Sequence, residues 1–160
     1  MEITNCSKED FDQILTDFGQ FWEHDRTLAL HHPTLIYEFG NSAFVIRRGN
    51  KVIAYLFGFL SQTEPLGYIN LLAVRQGYRR QGLGKKLYRH FEQYAVERGC
   101  RRLKAITSPV NTLSINFHRN IGMMPAGEPD AGVPAIKDYA GPGKDRVVFI
   151  KDIGRSLHDC

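Results

Sequence analysis

The spacing of apolar positions changes character several times along this chain, and each change marks a predicted element. Residues 2–6 form a possible short strand. Behind Ser7, the residues Phe11, Ile14, Leu15 and Phe18 recur at helical spacing, and Ser7-x-x-Asp10 is a capping pattern, so a helix is predicted to open there. A second helical stretch is predicted from Phe21 to about Leu30, stopping before Pro33. The pattern then turns strand-like. Residues 43–48 and 51–61 flank Gly49-Asn50, a two-residue hairpin signal, and residues 68–74 make another strand after a Glu64–Gly67 turn. The longest apolar run, VIAYLFGFL from Val52 to Leu60, is too short to span a bilayer as a helix but suits a strand buried on both faces.

The helix over 82–98 has the clearest stripe. Gly84, Leu87, Tyr88, Phe91, Tyr94 and Ala95 share one face, Lys85, Lys86, Arg89, Glu92 and Gln93 the other, and Gly99 follows as a natural C-cap. Residues 103–107 read as a strand. Asn111 can cap a helix carrying Leu113, Phe117 and Ile121 and ended by Gly122. A Gly/Pro-rich loop over 124–144 leads to a last strand at 147–150. Hairpins around a central βαβ crossover predict a mixed α/β sheet in one domain, residues 1–153, followed by a short tail, 154–160.

Composition narrows the function classes. At 160 residues, 42% hydrophobic and 24% charged, the chain has the make-up of an ordinary globular domain. No basic stretch followed by an apolar one opens it, so a cytoplasmic protein without a membrane partner is expected. Cys6, Cys100 and Cys160 form no CxxC pair, and His24, His31 and His32 lack a carboxylate or cysteine to complete a metal set. No metal is expected, and the three histidines read as loop residues. Charge is uneven: residues 75–104 hold ten Lys or Arg (75, 79, 80, 85, 86, 89, 98, 101, 102, 104) against Glu92 and Glu97. That lobe favours an anionic partner.

The chemistry concentrates where the strand Leu71-Leu72-Ala73-Val74 runs through a turn into Arg79-Arg80-Gln81-Gly82-Leu83-Gly84-Lys85. The first turn of a helix presents backbone N–H groups without partners, its dipole adds positive charge, and the glycines leave room for a phosphate. A Walker loop is excluded by Arg79 and Lys86, which stand where it needs a glycine and a Ser/Thr. A Rossmann fingerprint is excluded by Leu87, where a third glycine is required. The remaining pattern, Arg79-x-x-Gly82-x-Gly84 after a strand ending in Val74, resembles the pyrophosphate motif of the GNAT acetyltransferase superfamily. A second stretch has that family's register too: Asn111 opens a helix, His118 stands where a tyrosine is usual, and Gly122-Met123 replaces Gly-Phe.

The resemblance, tight over 68–123, implies a mostly antiparallel central sheet flanked by helices and splayed between the strands at 68–74 and 103–107. It implies acetyl-CoA as cosubstrate and direct attack on the thioester by an acceptor amine. Leu72, Ala73, Val74, Arg79, Arg80, Gln81, Gly82, Leu83, Gly84, Lys85 and Asn111 would hold the cosubstrate, Asn111 serving equally as a helix cap. His118 would protonate the leaving thiolate, orient its sulfur, or simply pack against the sheet. The family's usual base positions are occupied by Asn70 and Ile106, so the base is unassigned. Trp22 and Tyr139 are expected to border the acceptor, and a homodimer is compatible with the sequence. A non-catalytic acyl-CoA-binding module is the alternative; nucleic-acid binding ranks below both, since the basic lobe lacks interleaved aromatics.

Overall fold

The computed structural model describes residues 1–127 and 134–154. Among these residues seven strands form one sheet in the order β1-β2-β3-β4-β5-β7-β6: β1 (Ile3–Asn5), β2 (Ala43–Arg48), β3 (Lys51–Leu60), β4 (Leu66–Val74), β5 (Arg102–Thr107), β6 (Met124–Pro125) and β7 (Val147–Asp152). Every pairing is antiparallel except β4 with β5, which α4 (Leu83–Glu97) links as a crossover. The mixed, splayed sheet expected from the sequence is therefore what forms.

Helices cover both faces. On one, α4 and α5 (Thr112–Asn120) bury Leu83, Leu87, Phe91 and Ile115 against Ile69, Leu103, Ala105 and Phe149. On the other, α1 (Lys8–Thr16) and the single turn α2 (Phe18–Phe21) bury Phe11, Ile14 and Phe21 against Val45, Tyr55, Phe57, Leu71 and Ala73. Local rules start and stop these helices. Ser7 Oγ accepts from the Asp10 amide while the Asp10 carboxylate accepts from the Ser7 amide, which completes the capping box. Gly99, with φ at +81°, ends α4 with paired bonds from the amides of Gly99 to Val96 and of Cys100 to Ala95.

Several expectations are corrected. The helix predicted from Phe21 to Leu30 does not form: Trp22 is extended (φ −128°, ψ 136°), and only a 3₁₀ turn follows over Asp25–Leu30. Tertiary contacts outweigh propensity there, because the Trp22 indole and the His31 ring are both drawn to the hydroxyl of Tyr55. His31 accordingly lies in a loop, as expected, but its side chain is buried. The helical turn α3 (Thr34–Tyr37) and the two-residue β6 carried no readable pattern. Cys6 and Cys100 are buried free thiols. Cys160 and most of the expected tail lie outside the described residues.

Candidate active site

β4 and β5 pair from Leu66/Arg102 to Ile69/Ala105 and then part, although β4 continues to Val74 and β5 to Thr107. The cause lies at Asn70. Against β3, Leu71 faces Phe57 and Ile69 faces Gly58, so Asn70 is an extra residue on β4, a bulge that bends the strand away from its neighbour. The bulge also reverses the side-chain alternation: Ile69, Leu72 and Val74 face the α4–α5 side, Leu71 and Ala73 the other. Arg75 N–H donates to the Ile53 carbonyl on β3, so by the alternation of an antiparallel ladder the backbone groups of Leu72 and Val74 point into the fork. The Val74 carbonyl accepts from Arg79 Nε at 3.2 Å. Both N–H groups and the Leu72 carbonyl have no partner among the described residues.

Beyond the fork the chain makes a second opening. Among the described residues, the amides from Arg79 through Lys85 donate to no acceptor; the helical ladder starts with Lys86 N–H to the Gly82 carbonyl. Arg80 holds a left-handed φ of +62° and Gly82 one of +77°, and this backbone turns the amides outward at the N-terminus of α4. Open space surrounds Gly82. Arg80, Gln81 and Lys85 are exposed; Leu83 is buried and offers only its backbone. A cleft of about 510 Å³ continues from Lys85 along α4 past Arg89, toward Asn120 and Lys151.

Two residues differ from expectation here. Gly84 does not clear space for an anion: a Cβ on it would stand 3.3 Å from Phe117 Cε2, so its role is close approach of α4 to α5. Arg79 does not aim its charge at the cradle. Its Nη2 donates to the Phe21 carbonyl at 2.9 Å, and Nη1 lies 3.7 Å from the Glu23 carboxylate.

On α5, the Asn111 side chain accepts from the Ser114 amide at 3.1 Å and caps the helix. His118 is buried, its ring stacked on Phe149 at 4.9 Å with planes 12° apart. Its Nδ1 lies 2.6 Å from the Ser114 carbonyl, which can only accept, so Nδ1 carries the hydrogen and Nε2 the lone pair. Burial pushes the imidazole below its ordinary pKa, against the raising effect of that carbonyl, so the neutral form is favoured. Among the described residues Nε2 has no partner. An imidazole in this form takes up a proton before it can give one.

The opposite face carries a network the sequence reading missed. Trp22 Nε1–H donates to the Tyr55 hydroxyl (2.7 Å), which donates to His31 Nε2 (2.8 Å), while His31 Nδ1–H donates to the Thr27 carbonyl (2.8 Å). Burial drives the Tyr55 phenol up and the His31 imidazole down, so both stay neutral. A tyrosine in the middle of the apolar run VIAYLFGFL was the available signal, since a buried phenol needs a partner. Trp22 thus serves the core as well as the surface. Tyr139 is partly exposed beneath the Lys104 ammonium, 5.2 Å from its ring. No helix among the described residues is long and apolar enough to cross a membrane.

The forked sheet and the amide-lined helix start beside it lie within a stretch that sequence comparison assigns to a family. The profile of the acetyltransferase (GNAT) family matches residues 8–123, and the chain belongs to this family of acyltransferases. A Salmonella typhimurium aminoglycoside N(6')-acetyltransferase type 1 is 28% identical over 60 residues, 38% of this chain and 41% of that protein. The chain therefore matches about two-fifths of that relative's length. The fold is shared with the Escherichia coli ribosomal-protein-S18-alanine N-acetyltransferase (TM-score 0.69, 18% identity, 99% of this chain and 97% of that one). It is also shared with Ard1 from Thermoplasma volcanium (TM-score 0.73, 18% identity, 95% and 97%).

Proposed function

We propose that this protein transfers an acetyl group from acetyl-CoA to a primary amine, by direct attack within a ternary complex. The observation that carries the reading is the run of unpartnered amides from Arg79 to Lys85, placed beside a fork into which Leu72 and Val74 turn unpartnered backbone groups. The amides, the α4 dipole and the Arg80 and Lys85 cations suit a diphosphate. The fork suits an amide-bearing pantetheine arm, which the Leu72 and Val74 backbones would bond in place of the missing strand. An N–H of either residue would then polarise the thioester carbonyl and stabilise its developing negative charge.

His118 is the side chain proposed for proton transfer. With Nδ1–H held by Ser114, Nε2 would accept a proton from the attacking nitrogen and return it to the departing sulfur. Asn111 would bond the arm or steady the loop beneath it through its cap. The binding-module alternative draws support from Asn70 and Ile106, which put no carboxylate at the fork. Calorimetry with acetyl-CoA and free-thiol release across an amine panel test the proposal. Binding with no thiol release leaves the binding module, and no binding removes both. His118→Ala is expected to lower turnover by about 100-fold or more with acetyl-CoA affinity unchanged; unchanged turnover would take His118 out of the mechanism.

A further inference from the structure

Arg79 is the first residue of the amide cradle, yet its guanidinium turns away from it. Nε donates to the Val74 carbonyl, the last of β4, and Nη2 to the Phe21 carbonyl, the last residue of α2, with Glu23 alongside. Four residues earlier, Arg75 holds the other end of the same turn. Its Nη2 donates to Asp17 at 2.7 Å, its Nε to the Val52 carbonyl at 2.8 Å, and its guanidinium lies 4.8 Å over the Phe21 ring. Two arginines of the β4–α4 connection thus bracket residues 17–23. Within that bracket Trp22 leaves the helical path and bonds Tyr55.

The position of this segment gives the bracket its meaning. An acyl group lying along Leu72–Val74 has α4 and α5 on one side, because both side chains face that core. The other side of β4 carries Leu71 and Ala73, packed with Phe21 and half-buried Trp22. An acceptor that reaches the fork from that side passes residues 21–23. We infer that Arg79 is a positioning residue for the acceptor: it fixes residues 21–23 relative to the fork, while the cradle's accessible charge comes from Arg80 and Lys85. The inference rests on the proposed acetyl transfer and assigns this arginine to the amine, against what its place in the glycine motif suggests.

The test is steady-state kinetics on Arg79→Gln, Arg79→Lys and Arg80→Gln, with the best amine of the panel, together with amide hydrogen exchange over residues 17–23. Arg79→Gln is expected to raise the amine KM about tenfold, the loss of roughly one charged hydrogen bond, and to move the acetyl-CoA KM less than about threefold. Arg79→Lys, keeping one charged donor, recovers part of the loss; Arg80→Gln gives the reverse split. Exchange over 17–23 speeds up in Arg79→Gln. If Arg79→Gln or Arg79→Lys weakens acetyl-CoA as Arg80→Gln does and spares the amine, the inference is overturned; unchanged exchange overturns it as well. Wild-type protein that transfers to no amine overturns the functional proposal first, and this inference with it.

Discussion

Two buried histidines make stability depend on pH in a window where carboxylates contribute little. His31 and His118 are each held neutral, with Nδ1–H given to a main-chain carbonyl and the ring enclosed by aromatic neighbours. Burial is the first cause of the lowered pKa in both. The unfolded chain offers each ring its ordinary affinity for protons, near pH 6.5. As the pH falls below that value the unfolded state binds protons that the native state refuses, so stability falls until the native rings titrate. Each histidine contributes a slope of at most about 1.4 kcal/mol per pH unit, and the pair at most about 2.7. Against a total of roughly 5–15 kcal/mol this is a large loss. Urea unfolding from about pH 7.5 to about pH 5.5 measures it, above the range in which ordinary carboxylates titrate. His31→Gln and His118→Gln are each expected to reduce the slope by about half. A slope that survives both substitutions would refute the assignment of neutral, depressed rings.

Other outcomes follow from steric detail. At Gly58, beside the Asn70 bulge, an added Cβ would stand 2.6 Å from Phe91 Cε2 and 2.8 Å from the Tyr68 carbonyl, a backbone atom. Gly58→Ala should therefore cost about 3 kcal/mol by denaturant unfolding, and a loss under about 1 kcal/mol would mean the bulge can shift. Gly82→Ala meets open space but must keep φ at +77°. It should cost about 1–2 kcal/mol at the N-terminus of α4 and weaken acetyl-CoA binding in calorimetry more than it lowers Tm; unchanged binding would detach the cradle from the cosubstrate.

How far the sequence alone went is visible element by element. The Ser7 capping box, the Gly49-Asn50 hairpin, the stripe of α4 with its Gly99 stop and the Asn111 cap were all legible, because each depends on neighbours within a turn or two of the chain. The glycine motif and the Asn111–His118 register likewise sufficed for the family. What needed the folded chain were contacts across large sequence separations. Nothing local distinguishes Arg79, which binds Phe21 58 positions away, from Arg80, which is exposed. Gly82 and Gly84 look alike in the motif, but a left-handed φ requires one and the ring of Phe117 the other. Residues 21–30 carried a plausible helical spacing, and only Tyr55, on another strand, pulled Trp22 out of it. The bulge at Asn70 is decided by how β3 and β4 share their register, and the fork depends on it. Short-range hydrogen-bonding rules thus set where the elements begin and end. The direction in which each charged or polar side chain is spent is a tertiary property, because its energy depends on partners that only folding brings within reach.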